Sequence, residues 1–222
     1  LSSAASDVYK RQINTFVYSI GIAIITTLIC ILLGYPAAWI LSNSKLNRSR
    51  TMVVLFILPM WVNILIRTLA TVALFDFLDL PLGEGALIFG MVYNFLPFMI
   101  LPILSVLEKI DPKVIEAAQD LGANSFTVFR RVTFPLSLPG VLSGVTMVFV
   151  PSVSTFALSR LLGGGKFLLY GDLIENQFIT LGQSAWPVGS ALSFILLILV
   201  LLSMAVMRRA ERDSGDEGGM LW

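Results

Sequence analysis

Long runs without charge alternate along this chain with short polar connections. Ile13 to Leu41 holds no charged residue, Thr51 to Phe75 holds only Arg67, and Gly85 to Leu107 holds none; Pro135 to Ser159 and Trp186 to Met207 complete the set. Crossing the hydrocarbon core of a bilayer takes about 20 apolar residues at 1.5 Å each. All five runs qualify. In lipid an open strand edge leaves backbone groups unsatisfied, so the pattern predicts an all-α membrane protein with five spans.

The third connection, residues 108–134, is too polar for a span and has helical periodicity of its own. Asp111 followed by Pro112 reads as an N-cap with proline at the first helical position. Val114, Ile115, Ala118 and Leu121 then fall on one face, and Gly122 is the natural stop. A second short helix is expected from Asn124 to Val132, with Phe126 and Phe129 on one side and Arg130 and Arg131 beside them. No lipid span needs such an apolar stripe, so it calls for a partner.

Composition agrees: of 222 residues 56% are hydrophobic and 13% charged, where a soluble domain carries about 25% charged residues. Histidine is absent and Cys30 is the one cysteine, which removes a Ser/His/Asp triad, an internal disulfide and a His or Cys-rich zinc site. A net charge of +1, spread over short loops, gives nucleic acid no basic face to bind. Charge informs topology instead. Lys45, Arg48 and Arg50 place the first connection in the cytoplasm by the positive-inside rule, and Asp76, Asp79 and Glu84 place the second outside. Lys109, Lys113, Arg130 and Arg131 return the third inside; the fourth, Arg160 to Ala185, is outside by alternation despite Arg160 and Lys166, and Arg208, Arg209 and Arg212 bring the tail inside. Five spans then leave the N-terminus outside, against the preference of Lys10 and Arg11. The expectation is a missing upstream span, with residues 1–12 a non-native leader, 13–212 the transmembrane domain and 213–222 a cytoplasmic tail.

Pro36, Pro59, Pro97, Pro102, Pro139 and Pro151 interrupt the runs, which fits either the kinked helices of a transporter or ordinary bundle packing. Gly140 and Gly144 form G-x-x-x-G, a close-packing signature. Gly163-Gly164-Gly165-Lys166 is no phosphate-binding loop, because Phe167 stands where a Ser or Thr would hold magnesium.

Within the third connection, Glu116-Ala117-Ala118, three residues, Gly122, nine residues, then Val132-Thr133-Phe134-Pro135 resembles the cytoplasmic loop of the membrane subunits of bacterial ATP-binding cassette (ABC) importers. Val132 and Phe134 replace that family's Ile and Leu. The resemblance spans Ile13 to about Arg212 and implies a type I importer transmembrane bundle, normally of six spans. It also implies a loop in which Glu116, Ala117, Ala118, Leu121, Gly122, Phe126, Phe129 and Pro135 couple to a cytoplasmic ATPase dimer. ATP and magnesium would sit on that partner, with no cofactor or catalytic residue in this chain. A second permease, an external substrate-binding protein and a bacterial inner-membrane location follow from the same resemblance. Leu33-Gly34-Tyr35-Pro36, Leu58-Pro59-Met60-Trp61-Val62-Asn63, Tyr93-Asn94-Phe95-Leu96-Pro97, Leu161 to Gly165 and Ile174-Glu175-Asn176-Gln177-Phe178 are similar to the first permease of spermidine/putrescine importers. Polyamine import is therefore expected; a permease for another small solute, or a non-transport membrane assembly protein, is the alternative.

Polar side chains at membrane depth are the candidate path. Counted along a straight second span, Asn63 lies at about 18 Å and Arg67 at about 24 Å, level with Tyr93 and Asn94. With Trp61 these residues would line one cavity offering hydrogen bonds and cation–π contacts. Packing roles are open too: Arg67 snorkelling or pairing with Asp76, Trp61 packing, Asn63 bridging helices. The spans contain no Asp or Glu, so selection would fall to the binding protein. Asp172 and Glu175, in the external connection, are candidates for an outer gate or a binding-protein contact; an interfacial packing helix is the competing reading.

Overall fold

The computed structural model describes residues 2–42, 51–165, 167–181 and 185–219. Lys45, Arg48, Arg50 and Lys166, used above for topology, lie outside them, as does the side chain of Arg212. The described residues are helical with no strand: α1 (Ser2–Ser42), α2 (Thr51–Trp61), α3 (Ile64–Phe77), α4 (Glu84–Leu107), α5 (Pro112–Asp120), α6 (Ser125–Val128), a π-helical turn π1 (Phe129–Thr133), α7 (Phe134–Ser154), α8 (Ala157–Leu162), α9 (Tyr170–Ile179) and α10 (Trp186–Gly219). Four helical stretches are long and apolar enough to span, and α2 with α3 makes a fifth if the bent pair is one span.

The core lies between α1, α4 and α7. Small residues let these three approach. On α1 the small residues Ser19, Ala23, Cys30, Gly34 and Ala38 recur at helical spacing on the buried side, interleaved with Ile22, Thr26 and Tyr35. Gly140 of α7 lies so close to α4 that a Cβ there would sit 2.9 Å from the Pro102 carbonyl oxygen, and one at Gly144 would sit 2.7 Å from the Met99 sulfur. The close-packing role read from G-x-x-x-G is what the two helices use. Met91, Met99, Ile100 and Ile103 fill the remaining space, each at most 1% exposed. By contrast, α10 touches chiefly α7 and α9 and leaves most of its apolar surface uncovered.

Three expectations change. The second span is not straight: α2 and α3 meet at a 99° bend across Val62 and Asn63. Pro59 weakens the end of α2 by removing a backbone donor, and Asn63 starts a new helix by accepting the Leu65 amide at 2.8 Å. Pro36, Pro97, Pro102, Pro139 and Pro151 lie inside continuous helices. Near Asn124 to Val132 no separate second helix forms, because α6 passes through π1 directly into α7. The fourth span ends at Ser154, where Thr155 turns extended before α8.

Candidate functional site

The α5–α6 segment stands off one end of the bundle. Asp111 caps α5 by accepting the Lys113 amide at 2.9 Å, with Pro112 at the helix start. The helix closes when the Gly122 amide donates to Gln119 at 2.9 Å and Ala123 to Ala118 at 3.2 Å. That closure demands a left-handed residue, and Gly122 supplies φ = +83° at no steric cost. Asn124 then starts α6 by accepting the Thr127 amide at 2.8 Å.

This double capping turns two apolar side chains outward. Leu121 is 90% exposed and Phe126 69%. Glu116 and Ala117 are exposed beside them, while Val114, Ile115 and Ala118 are half-covered on the bundle side. A cavity of about 730 Å³ lies under α5, between Val114 and Ala117 above and Val106, Ile110 and Leu136 below. Phe129 faces the other way: its ring is edge-on to Tyr35 at 5.8 Å and tilted on Phe134 at 6.2 Å. Pro135 is exposed in the first turn of α7. Thus the segment presents one outward apolar surface and one inward anchor.

Among the described residues the five path candidates have different surroundings. The eleven residues of α2 before the break rise only about 16 Å, and beyond the 99° bend α3 runs across rather than onward, so the straight-helix depth for Arg67 does not apply. Asn63 is spent as the cap of α3. Trp61 is 84% exposed at the tip of α2. Arg67 is buried at 8% exposure, donates from Nη1 to the Pro59 carbonyl at 2.8 Å, and lies over the Tyr93 ring at 5.6 Å. Its guanidinium closes the C-terminal end of α2, where a positive charge is favoured, and neither snorkels nor pairs with Asp76. Asn94 is fully buried and donates to the Gly90 carbonyl at 2.8 Å. What remains together is Arg67 with Tyr93, continued by the Phe89 and Phe75 rings at 6.5 and 5.5 Å steps.

The family described as "Binding-protein-dependent transport system inner membrane component" matches residues 24–214. This chain belongs to that family. It is 38% identical to the spermidine/putrescine transport system permease protein PotB of Escherichia coli, over 93% of this chain and 82% of the relative, and 38% identical to the Haemophilus influenzae protein of the same name, over 87% and 73%. Its fold matches the MetNI methionine ABC transporter in inward-facing conformations, with a TM-score of 0.72, 21% identity and coverage of 91% of this chain and 95% of that one. The chain is a multi-pass inner-membrane component of a transport system, with the type I ABC importer fold.

At the end of this permease opposite α5, residues 155–165 and 167–179 fold into a cap that sequence reading left as separate charges. Arg160 of α8 reaches Glu175 Oε2 with Nη2 at 2.9 Å and Asp172 Oδ1 with Nε at 3.5 Å, and its Nη2 donates to the Asn176 side-chain Oδ1 at 3.1 Å. Asp172 is fully buried; its Oδ2 accepts the Ser159 hydroxyl at 2.5 Å and the Leu169 amide at 2.7 Å. Burial pushes the Asp172 carboxyl above its ordinary value, and Glu175 adds to this, while Ser159, the Leu169 amide and Arg160 pull it back. Both acidic candidates are therefore engaged internally, with Arg160 as the partner that sequence reading noted only as an exception to the loop-charge pattern. Tyr170 ties the cap to the bundle, its amide donating to Ser19 Oγ at 2.7 Å and its hydroxyl to the Leu192 carbonyl at 3.3 Å.

Proposed function

We propose that this permease is one half of the membrane pathway of a binding-protein-dependent polyamine importer, driven by ATP hydrolysed on separate cytoplasmic subunits that dock on α5–α6. The observation that carries the docking reading is the outward pair Leu121 and Phe126, held on either side of the left-handed Gly122 by two side-chain caps. Exposed apolar side chains on so well-capped a loop suit a protein groove, since burying one contributes about 1.5 to 3 kcal/mol. A second, homologous permease supplies the other half of the pathway, and an external binding protein delivers cargo.

Cargo is assigned from the relatives, spermidine/putrescine permeases that match over most of this chain. One local feature supports it: Tyr93 and Phe89 stack as a partly exposed aromatic surface, which suits an ammonium. The test is uptake of labelled spermidine into proteoliposomes holding the full complex. Uptake is expected to need ATP and the binding protein. Tyr93→Ala is expected to lower it several-fold, because a cation over an aromatic ring is worth about 0.5 to 2 kcal/mol. Uptake of a sugar or an anion, with polyamines neither carried nor competing, overturns the cargo assignment.

A further inference from the structure

We infer that Tyr35 is the positioning residue through which movement of α5–α6 reaches the opposite end of the permease, with α1 as the connecting rod. The inference rests on the importer reading above. Among the described residues α5 buries no side chain and α6 buries only Val128, so the segment's aromatic anchor to the bundle is Phe129. That ring meets Tyr35, which also packs on Phe134 at 5.8 Å. The Tyr35 hydroxyl lies 2.8 Å from Ser137 Oγ, and Ser137 Oγ lies 2.9 Å from the Phe134 carbonyl. Ser137 has one proton; once it is given to that carbonyl, Tyr35 is the donor to Ser137. Tyr35 thereby grips both π1 and the first turn of α7. A π-turn inside a continuous helix is a place where register can shift, and π1 lies at this grip.

From Tyr35 the rod runs back to Ser19, sixteen residues or about 24 Å. Its small-residue face lies flush on the core, with Gly34 tight against Met99, a geometry that favours sliding of a packed helix as a unit over bending. At the far end Ser19 Oγ, fully buried, accepts the Tyr170 amide while donating to the Thr15 carbonyl at 2.8 Å. Tyr170 opens α9, which Asp172 and Glu175 fasten to Arg160 on α8. Phe129, Tyr35, Ser19 and Tyr170 thus join the two ends of the molecule by contiguous contacts along one helix.

The experiment measures ATP hydrolysed per spermidine transported by the reconstituted complex. In Tyr35→Leu the ATPase stays bound and basal hydrolysis is unchanged, while the ratio rises at least about fivefold, the scale of one coupling contact. Tyr35→Phe, which keeps the ring contacts, restores most of the coupling. Ser19→Ala, at the other end of the rod, raises the ratio as Tyr35→Leu does. If Tyr35→Leu does not assemble, Phe129→Leu removes the same ring contact from the other side and is expected to raise the ratio too. An unchanged ratio in the assembled Tyr35 or Phe129 variant overturns the inference. Failure of the unaltered complex to bind an ATPase overturns the importer reading instead.

Discussion

Gly122→Asp cuts transport more than about tenfold while leaving synthesis and membrane insertion intact. The separation of the two effects follows from the position. Nothing lies within 4 Å of the Cβ that Gly122 lacks, so the chain itself accepts a side chain there. Aspartate also tolerates the left-handed backbone better than most residues, at φ = +83°. The cost falls on whatever covers the loop. A carboxylate placed between Leu121 and Phe126 must be desolvated unpaired when the docked subunit closes over it, at about 2 kcal/mol or more. A loss of that size reduces affinity more than about tenfold, and uptake is expected below a tenth of the unaltered level. Normal stimulation of ATP hydrolysis by loaded binding protein in this variant would contradict it.

Gly140→Leu has the opposite signature and the largest structural effect. Its Cβ would lie 2.9 Å from the Pro102 carbonyl oxygen and 3.1 Å from the Ile103 Cα. These are backbone atoms and cannot rotate away. The α4–α7 contact is the most extensive in the molecule, so separating the helices to admit an isobutyl group costs about 3 kcal/mol or more. The variant is expected to insert poorly and be cleared, with little protein recovered in detergent. Gly85→Leu, at a position where a Cβ meets nothing within 4 Å, serves as the control and should be recovered normally. Equal recovery of both would show that α4 and α7 do not pack as described.

Hydrophobic pattern and capping chemistry made much of this architecture legible. The charge-free runs located the spans, Asp111 and Pro112 located the start of α5, and Gly122 its end, because each of those signals is local. The break at Asn63 was missed for a tertiary reason. Pro59 flagged a weak point, yet five other prolines sit inside unbroken helices, and what completes the 99° bend is Arg67 reaching back to the Pro59 carbonyl. Polarity at depth singled out Asn63 and Arg67 with path and packing roles both open, and the structure engages both at the α2–α3 break, Asn63 starting α3 and Arg67 holding the end of α2. Arg160, Tyr35 and Ser19 were invisible for a related reason: their partners lie 12 to 151 residues away. No periodicity reports such pairs. The Tyr35 phrase marked resemblance without indicating that its hydroxyl and ring face the coupling segment.

The claim that a separate ATPase drives this permease through α5–α6 is tested most directly by site-directed crosslinking in a Cys30→Ser background, where no native thiol remains. Leu121→Cys is expected to crosslink to the copurified ATPase subunit, while Leu78→Cys, exposed in the turn after α3, is expected not to. Crosslinking at Leu78 with none at Leu121 would contradict the account.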